Sequence, residues 1–202
     1  MNKKKLLDQI AREIAKTNGG PYGKGLKPVP GEGNPEAQIM FIGEGPGFYE
    51  NQQGRPFVGV SGRLLRKSIV ESGWKEREVF ITNIVKFRPP ENRDPTPAEI
   101  EFFKPFLDRQ IEIINPKVIV TLGRFSMYKF LGEGVSISKV HGQPRKIDKY
   151  TIFPMFHPAA ALRATGMMNQ FLEDFKKLRD LINLPTDKDK VVELSSEQLN
   201  LI

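Results

Sequence analysis

Ile39-Met40-Phe41-Ile42 runs directly into Gly43-Glu44-Gly45-Pro46-Gly47. The first four residues are apolar without alternation, as in a strand buried on both faces. The next five form a turn that glycine and proline permit and bulkier residues do not. Far downstream, Ile152-Phe153-Pro154-Met155-Phe156 ends in His157-Pro158. Two strand ends that carry polar groups out of an apolar sheet point to one site.

Around these ends the chain alternates between two periodicities. Residues 3–16 place Leu6, Leu7, Ile10, Ile14 and Ala15 on one helical face. Residues 17–35 are rich in Gly and Pro and read as loop. Strands are expected at 37–42, 79–85, 117–122 and 151–156. Helices are expected from Ser61, as cap, to about Ser72, at 123–131, and near 158–164 and 168–183. Thr96-Pro97-Ala98-Glu99 is a helix start, with Thr as cap, Pro in the first turn and Glu three residues after the cap. That helix should stop at Asn115-Pro116, and 132–150 should hold a turn and a short edge strand. The alternation predicts an α/β fold with a central, mostly parallel four-stranded sheet covered on both faces. Ligands of such sheets bind beyond the carboxyl ends of the strands.

Composition narrows the chemistry. The 202 residues suit one domain, expected at 1–184, followed by a flexible acidic tail at 185–202. The chain has no cysteine and two histidines, His141 and His157. Disulfides, thiolate metal sites and a cysteine nucleophile are therefore excluded, and no metal-ligand spacing is present. No apolar run nears the roughly 18 residues of a membrane span, and no signal-peptide core follows the basic start. A cytoplasmic protein is expected. The net charge is +7, and the tail carries −2, so +9 falls on residues 1–184. Such a balance favours a polyanionic partner, nucleic acid above all.

Each motif alone has two meanings. The Gly43–Gly47 turn can cradle a phosphate, bring backbone amides close to a flat ligand, or simply turn. It lacks the Gly-Lys-Ser/Thr of a phosphate loop and the full dinucleotide fingerprint. Phe57, between Pro56 and Gly59, can stack on a base or fill the core. Asn83, at a strand end, can meet a pyrimidine edge with one donor and one acceptor or satisfy a turn. His157 can donate to an oxygen on which charge develops or serve structure. Lys86, Arg88 and Arg93 are candidate phosphate contacts or ordinary surface charge.

Taken in order, five blocks resemble the family 4 uracil-DNA glycosylases. They are Gly43–Gly47, Gly54-Arg55-Pro56-Phe57-Val58-Gly59, Thr82-Asn83-Ile84-Val85-Lys86, Arg88-Pro89-Pro90 through Pro105-Phe106-Leu107, and His157-Pro158-Ala159-Ala160-Ala161-Leu162-Arg163. The resemblance covers roughly residues 15–182. It implies a three-layer α/β/α sandwich and a monofunctional DNA-repair enzyme that flips uracil out of DNA and hydrolyses its glycosidic bond. It further implies that Gly43, Glu44 and Gly45 line the uracil pocket, Phe57 stacks on the base, Asn83 reads its edge and His157 stabilises the departing uracil. Glu50 is the implied handler of the attacking water, with Glu44 second. Leu162 and Arg163 are placed to enter or brace the vacated stack. The alternatives are a non-catalytic binder of uracil or damaged DNA that kept the pocket, and a nucleotide-binding enzyme that uses the glycine turn for phosphate.

The chain departs from that family in one respect. The family's four-iron cluster needs four thiolates, and its ligand positions fall near Lys16, Gly19, Phe87 and Phe103. No cofactor is expected, with Phe87 and Phe103 filling part of the cluster's volume. Gln198, Leu199, Leu201 and Ile202 resemble the short peptide that binds the bacterial sliding clamp. A nucleoid-associated monomer is the expectation that follows.

Overall fold

The computed structural model describes residues 2–183. The acidic tail and its clamp-like peptide lie outside the described residues. In chain order the elements are α1 (Lys3–Lys16), β1 (Glu32–Gly33), β2 (Ile39–Gly43), α2 (Phe48–Gln53), α3 (Val60–Glu71), β3 (Phe80–Asn83), α4 (Pro97–Ile114), β4 (Val118–Leu122), α5 (Arg124–Leu131), α6 (Ile137–Val140), β5 (Arg145–Ile147), β6 (Tyr150–Met155), α7 (Pro158–Ala161) and α8 (Thr165–Asn183).

These strands form one sheet in the order β1-β3-β2-β4-β6-β5. The inner four are parallel, and β1 and β5 are antiparallel edges. The sheet thus has six strands where the sequence pattern suggests four. Both added strands are only two or three residues long, and neither has an apolar run: Glu32-Gly33 and the exposed Arg145–Ile147, the latter inside 132–150, where a short edge strand is expected. Short polar edges carry no periodic signal and also discourage sheet-to-sheet association.

Alternate side chains of the inner strands feed two separate cores. Met40, Ile42, Ile119 and Ile152 pack beneath α1 and α4 with Ile10, Ile14, Phe103, Leu107 and Ile111. Ile39, Phe41, Val120 and Phe153 pack on the other face beneath α3, α7 and α8 with Leu65, Ile69, Phe171 and Phe175. The result is an α/β/α sandwich. Every residue of β2, β3 and β4 is buried, as parallel strands covered on both sides must be.

Local chemistry sets the helix ends. Thr96 Oγ1 accepts from the Glu99 amide at 3.3 Å, and Glu99 Oε2 accepts from the Thr96 amide at 2.7 Å. This reciprocal cap starts α4, and Asn115, at φ +52, ends it. Helix α1 buries Leu7, Ile10 and Ile14, whereas Ala15 lies exposed. Ser61 does not cap α3. The helix begins two residues earlier than a Ser61 cap implies, with Gly59 at the cap position and Ser61 inside the first turn. The amide of Gly59 is satisfied instead by the Glu50 carboxylate at 2.8 Å.

Candidate active site

The carboxyl ends of β2, β3 and β6 open into a cavity of about 730 Å³. Glu44, Phe57, Asn83, His157 and Arg163 are among its lining residues. This volume is ordinary for a small-ligand site.

The pocket wall depends on a missing methyl group. β2 and β3 run in register, with Gly43 beside Asn83. A Cβ on Gly43 would lie 2.5 Å from Cζ of Phe57 and would also collide with Oδ1 of Asn83. Only glycine lets the aromatic ring and the amide meet. Asn83 is buried, and its Oδ1 has no hydrogen-bond partner. A buried, unpartnered acceptor is uncommon and unfavourable. Here it lines the cavity, where a ligand donor can meet it.

Phe57 holds a left-handed backbone, φ +53, which is strained for a bulky residue. Arg66 of α3 holds it there. Its Nε donates to Phe57 O at 2.8 Å and its Nη2 to Pro56 O at 2.7 Å. The same guanidinium pairs with Glu32 of β1 and with Glu76, each at 2.6 Å. Gly62, one helical turn before Arg66, admits the Phe57 backbone against α3, where a Cβ would clash with it.

Lys86 is not at the DNA-facing surface. It is fully buried, and its Nζ donates to Thr82 Oγ1 at 2.8 Å, Asn83 O at 2.8 Å and Gln110 Oε1 at 2.7 Å. Thr82 and Gln110 both donate onward to Pro30 O. Burial draws the Lys86 pKa well below the ordinary lysine range, and nearby Lys129 adds to this. All three partners of Nζ accept, which suits an ammonium with three donors. A phosphate-contact role for Lys86 is therefore corrected: it is a strut beneath Asn83.

Two glutamates flank the turn. Glu50 is nearly buried. Its Oε1 accepts from the amides of Val58 (2.9 Å) and Gly59 (2.8 Å), and its Oε2 from Gly47 (3.1 Å). It thereby ties the glycine turn to the Phe57 loop, with accepting capacity left on Oε2. Glu44 Oε1 accepts from the Phe125 amide at 3.0 Å. Burial raises the Glu44 pKa above the usual carboxylate range.

His157 lies 5.8 Å from Phe57, centroid to centroid. Its Nδ1 accepts from the Ala159 amide at 3.2 Å. That bond leaves the ring proton on Nε2. Burial pulls the pKa down to about 4, so the imidazole is neutral at physiological pH.

The remaining candidates differ in freedom. Arg163 is exposed at the cavity, and Leu162 is exposed beside it. Arg93 lines the cavity, but its guanidinium is held by both oxygens of Glu99, at 2.6 and 2.9 Å. Arg88 is half-buried, donates from Nε to Asn92 at 2.8 Å and lies over the ring of Phe48.

Residues 30–179 match the model of the uracil DNA glycosylase superfamily. The chain is 51% identical over 166 residues to the type-4 uracil-DNA glycosylase of Sulfurisphaera tokodaii, covering 78% of this chain and 76% of that protein. The chain belongs to the type-4 family of uracil-DNA glycosylases. The type-4 uracil-DNA glycosylase of Saccharolobus solfataricus is 46% identical over 88% of this chain and 87% of its own length. That of Thermotoga maritima is 41% identical over 89% and 96% respectively.

The iron-sulfur cluster that the family resemblance implies does not fit this glycosylase. The chain has no cysteine. Among the described residues, no three His, Asp or Glu side chains gather to hold a metal. Phe87 and Phe103, at positions where the resemblance implies ligands, are buried with ring centroids 6.0 Å apart. Phe103 also stacks with Tyr22 at 6.0 Å and meets Phe102 edge-on at 4.9 Å.

Arg66 and Gln110 are functional neighbours that the sequence motifs do not mark. The partners of Arg66 lie 9 to 34 residues away, so no local pattern points to it. Gln110 does leave a trace. It is a polar residue inside the inward stripe Phe103, Leu107, Ile111, Ile114 of α4.

Proposed function

We propose that the cavity receives a uracil flipped out of DNA and that the residues around it divide the cleavage of its glycosidic bond. The observation that carries this reading is the buried, unpartnered Oδ1 of Asn83. Uracil offers a donor at N3 and an acceptor at O4, and the Asn83 amide offers the complement. Cytosine, with an acceptor at N3, leaves Oδ1 unpaired and loses binding accordingly. Phe57 stacks on the flipped ring, returning part of the few kcal/mol that unstacking requires.

As the C1′–N1 bond breaks, its electron pair passes into the uracil ring and negative charge builds on O2. His157 donates from Nε2–H to that oxygen. A neutral donor suits this role, because it strengthens its bond only as charge appears. The sugar becomes cationic, and Glu50 holds its negative charge nearby. Water adds through its oxygen to C1′, oriented by the free lone pair on Glu50 Oε2, and its proton leaves through a carboxylate to solvent. Glu44, with its raised pKa, is the second acceptor for that proton. The products are free uracil and an abasic site. Arg88, Arg163 and Leu162 face the strand from which the base has left.

Phe87 and Phe103, with Tyr22 and Phe102, replace by packing what thiolate ligation supplies elsewhere in the family. The enzyme acts as a monomer. Gln198, Leu199, Leu201 and Ile202 dock on the sliding clamp, a reading supported by their pattern alone. Unchanged clamp affinity after deletion of 198–202 rejects it.

The test is incubation with a uracil-containing oligonucleotide, then alkali to cut abasic sites. A strand break at the uracil is expected, whereas retarded mobility without cleavage rejects catalysis. Asn83→Asp should relax the choice between uracil and cytosine, and intact discrimination removes Asn83 from the reading role.

A further inference from the structure

At the pocket mouth two large aromatic side chains stand in water. Phe48 is 48% exposed and Tyr49 52% exposed. They are the first residues of α2, directly after Gly47, which lines the cavity. Their rings meet edge to face at 5.4 Å. Arg88 lies over Phe48 at 5.2 Å and reaches Asn92, another cavity residue. Tyr49 packs toward Gly59, and beside it Val60 is 57% exposed. This is an apolar step beside the cavity-lining Gly47, with a guanidinium over one of its rings.

The surroundings select the occupant. Exposed apolar patches beside a site mark contact surfaces. The patch adjoins the cavity rather than lying apart from it, and the chain carries +7. Its edge charge is positive, which suits a phosphate backbone. Ring faces held next to a cation suit a nucleobase, whose flat face stacks without regard to sequence. In a duplex the neighbours of a flipped base keep one face on the next base pair and remain paired. On a single strand they are free to turn outward onto a platform.

We propose that Phe48 and Tyr49, with Arg88 over the ring of Phe48, form a stacking platform for an unpaired base flanking the flipped uracil on the same strand. The enzyme thus takes single-stranded DNA through a second base contact outside the pocket. This inference rests on the uracil-excision reading of the cavity.

The experiment compares wild type with Phe48→Ala/Tyr49→Ala on three oligonucleotides. One is single-stranded with ordinary bases around the uracil. The second is the same strand with tetrahydrofuran abasic residues on both sides of it. The third is a duplex. The double variant should lose about tenfold in kcat/KM on the first, on the order of one stacked base. It should lose less than twofold on the second and third. Phe48→Trp should keep wild-type rates. An equal loss on all three substrates, or none on the first, overturns the platform. Wild-type excision on the first substrate reads the cavity assignment separately, and anisotropy with the same strands reads the platform if excision itself fails.

Discussion

The proposed uracil pocket, at the carboxyl ends of the strands, and the aromatic block around Phe103, on the α1 and α4 face of the sheet, are held by opposite means. In the pocket, each working group sits on a directed polar support. Arg66 holds the Phe57 carbonyl, Lys86 holds the Asn83 carbonyl, the Ala159 amide sets the His157 tautomer, and backbone amides hold Glu50. In the block, Tyr22, Phe87, Phe102 and Phe103 meet only as rings at 4.9–6.0 Å. Chemistry needs groups aimed within tenths of an ångström, and hydrogen bonds aim. A volume that needs only filling is served by dispersion and apolar burial. On the proposed reading, in which phenylalanines fill a volume that ligated iron fills elsewhere in the family, the block can change composition while the site keeps its aim.

That contrast can be broken in three places. The largest effect is expected from Phe103→Ala, which removes a fully buried ring and should cost about 3–5 kcal/mol of stability. Thermal unfolding measures the loss. Turnover below the transition should stay within twofold of wild type, and wild-type protein should hold no stoichiometric iron. A fall in turnover as steep as the fall in stability would couple the two regions.

Next comes His157→Ala. Loss of a transition-state donor should lower kcat about 10²-fold with little change in unfolding temperature, the reverse of the Phe103 result. Because burial holds His157 near pKa 4, activity should be flat from pH 6 to 8, with no inflection at the ordinary histidine value. Between pH 6.5 and 4 the unfolded chain binds the proton that the folded imidazole refuses. Stability from this group therefore falls as pH is lowered through that window. Wild type should lose it and the Ala variant should not.

The smallest effect on the chemistry is expected from Lys86→Met. Its removal frees the Asn83 backbone and leaves three buried acceptors without their donor, so stability falls as well. The ratio of uracil to cytosine excision should drop several-fold to tenfold. A lowered unfolding temperature with unchanged discrimination would make Lys86 structural only.

The sequence showed most clearly what local rules govern. The Thr96 cap, the Asn115 stop, the buried strands and the glycine turn are each written in a few adjacent residues. Glu44, Gly45, Phe57, Asn83 and His157 do line the cavity, with Gly43 behind Phe57 and Asn83, because parallel strands deliver their carboxyl ends to one side. Lys86 misled, since a lysine after a strand reads as surface until Gln110, 24 residues away, closes over it. Of the two edge strands, β5 falls within 132–150, where a short edge strand is expected, whereas Glu32-Gly33 leaves no pattern to read. Phe48 and Tyr49 passed unremarked because exposure is a property of the fold.

The Arg66 latch divides the response of the enzyme to ionic strength. DNA contacts release counterions and weaken steeply with salt. The Arg66 side chain is only 14% exposed, and partly buried pairs are screened far less. Rising salt should therefore raise KM while leaving kcat nearly level. A glycosylase built this way loosens its hold on the strand without losing the shape of its pocket. Salt should thus speed its release from the strand while base excision, once the strand is bound, keeps its rate.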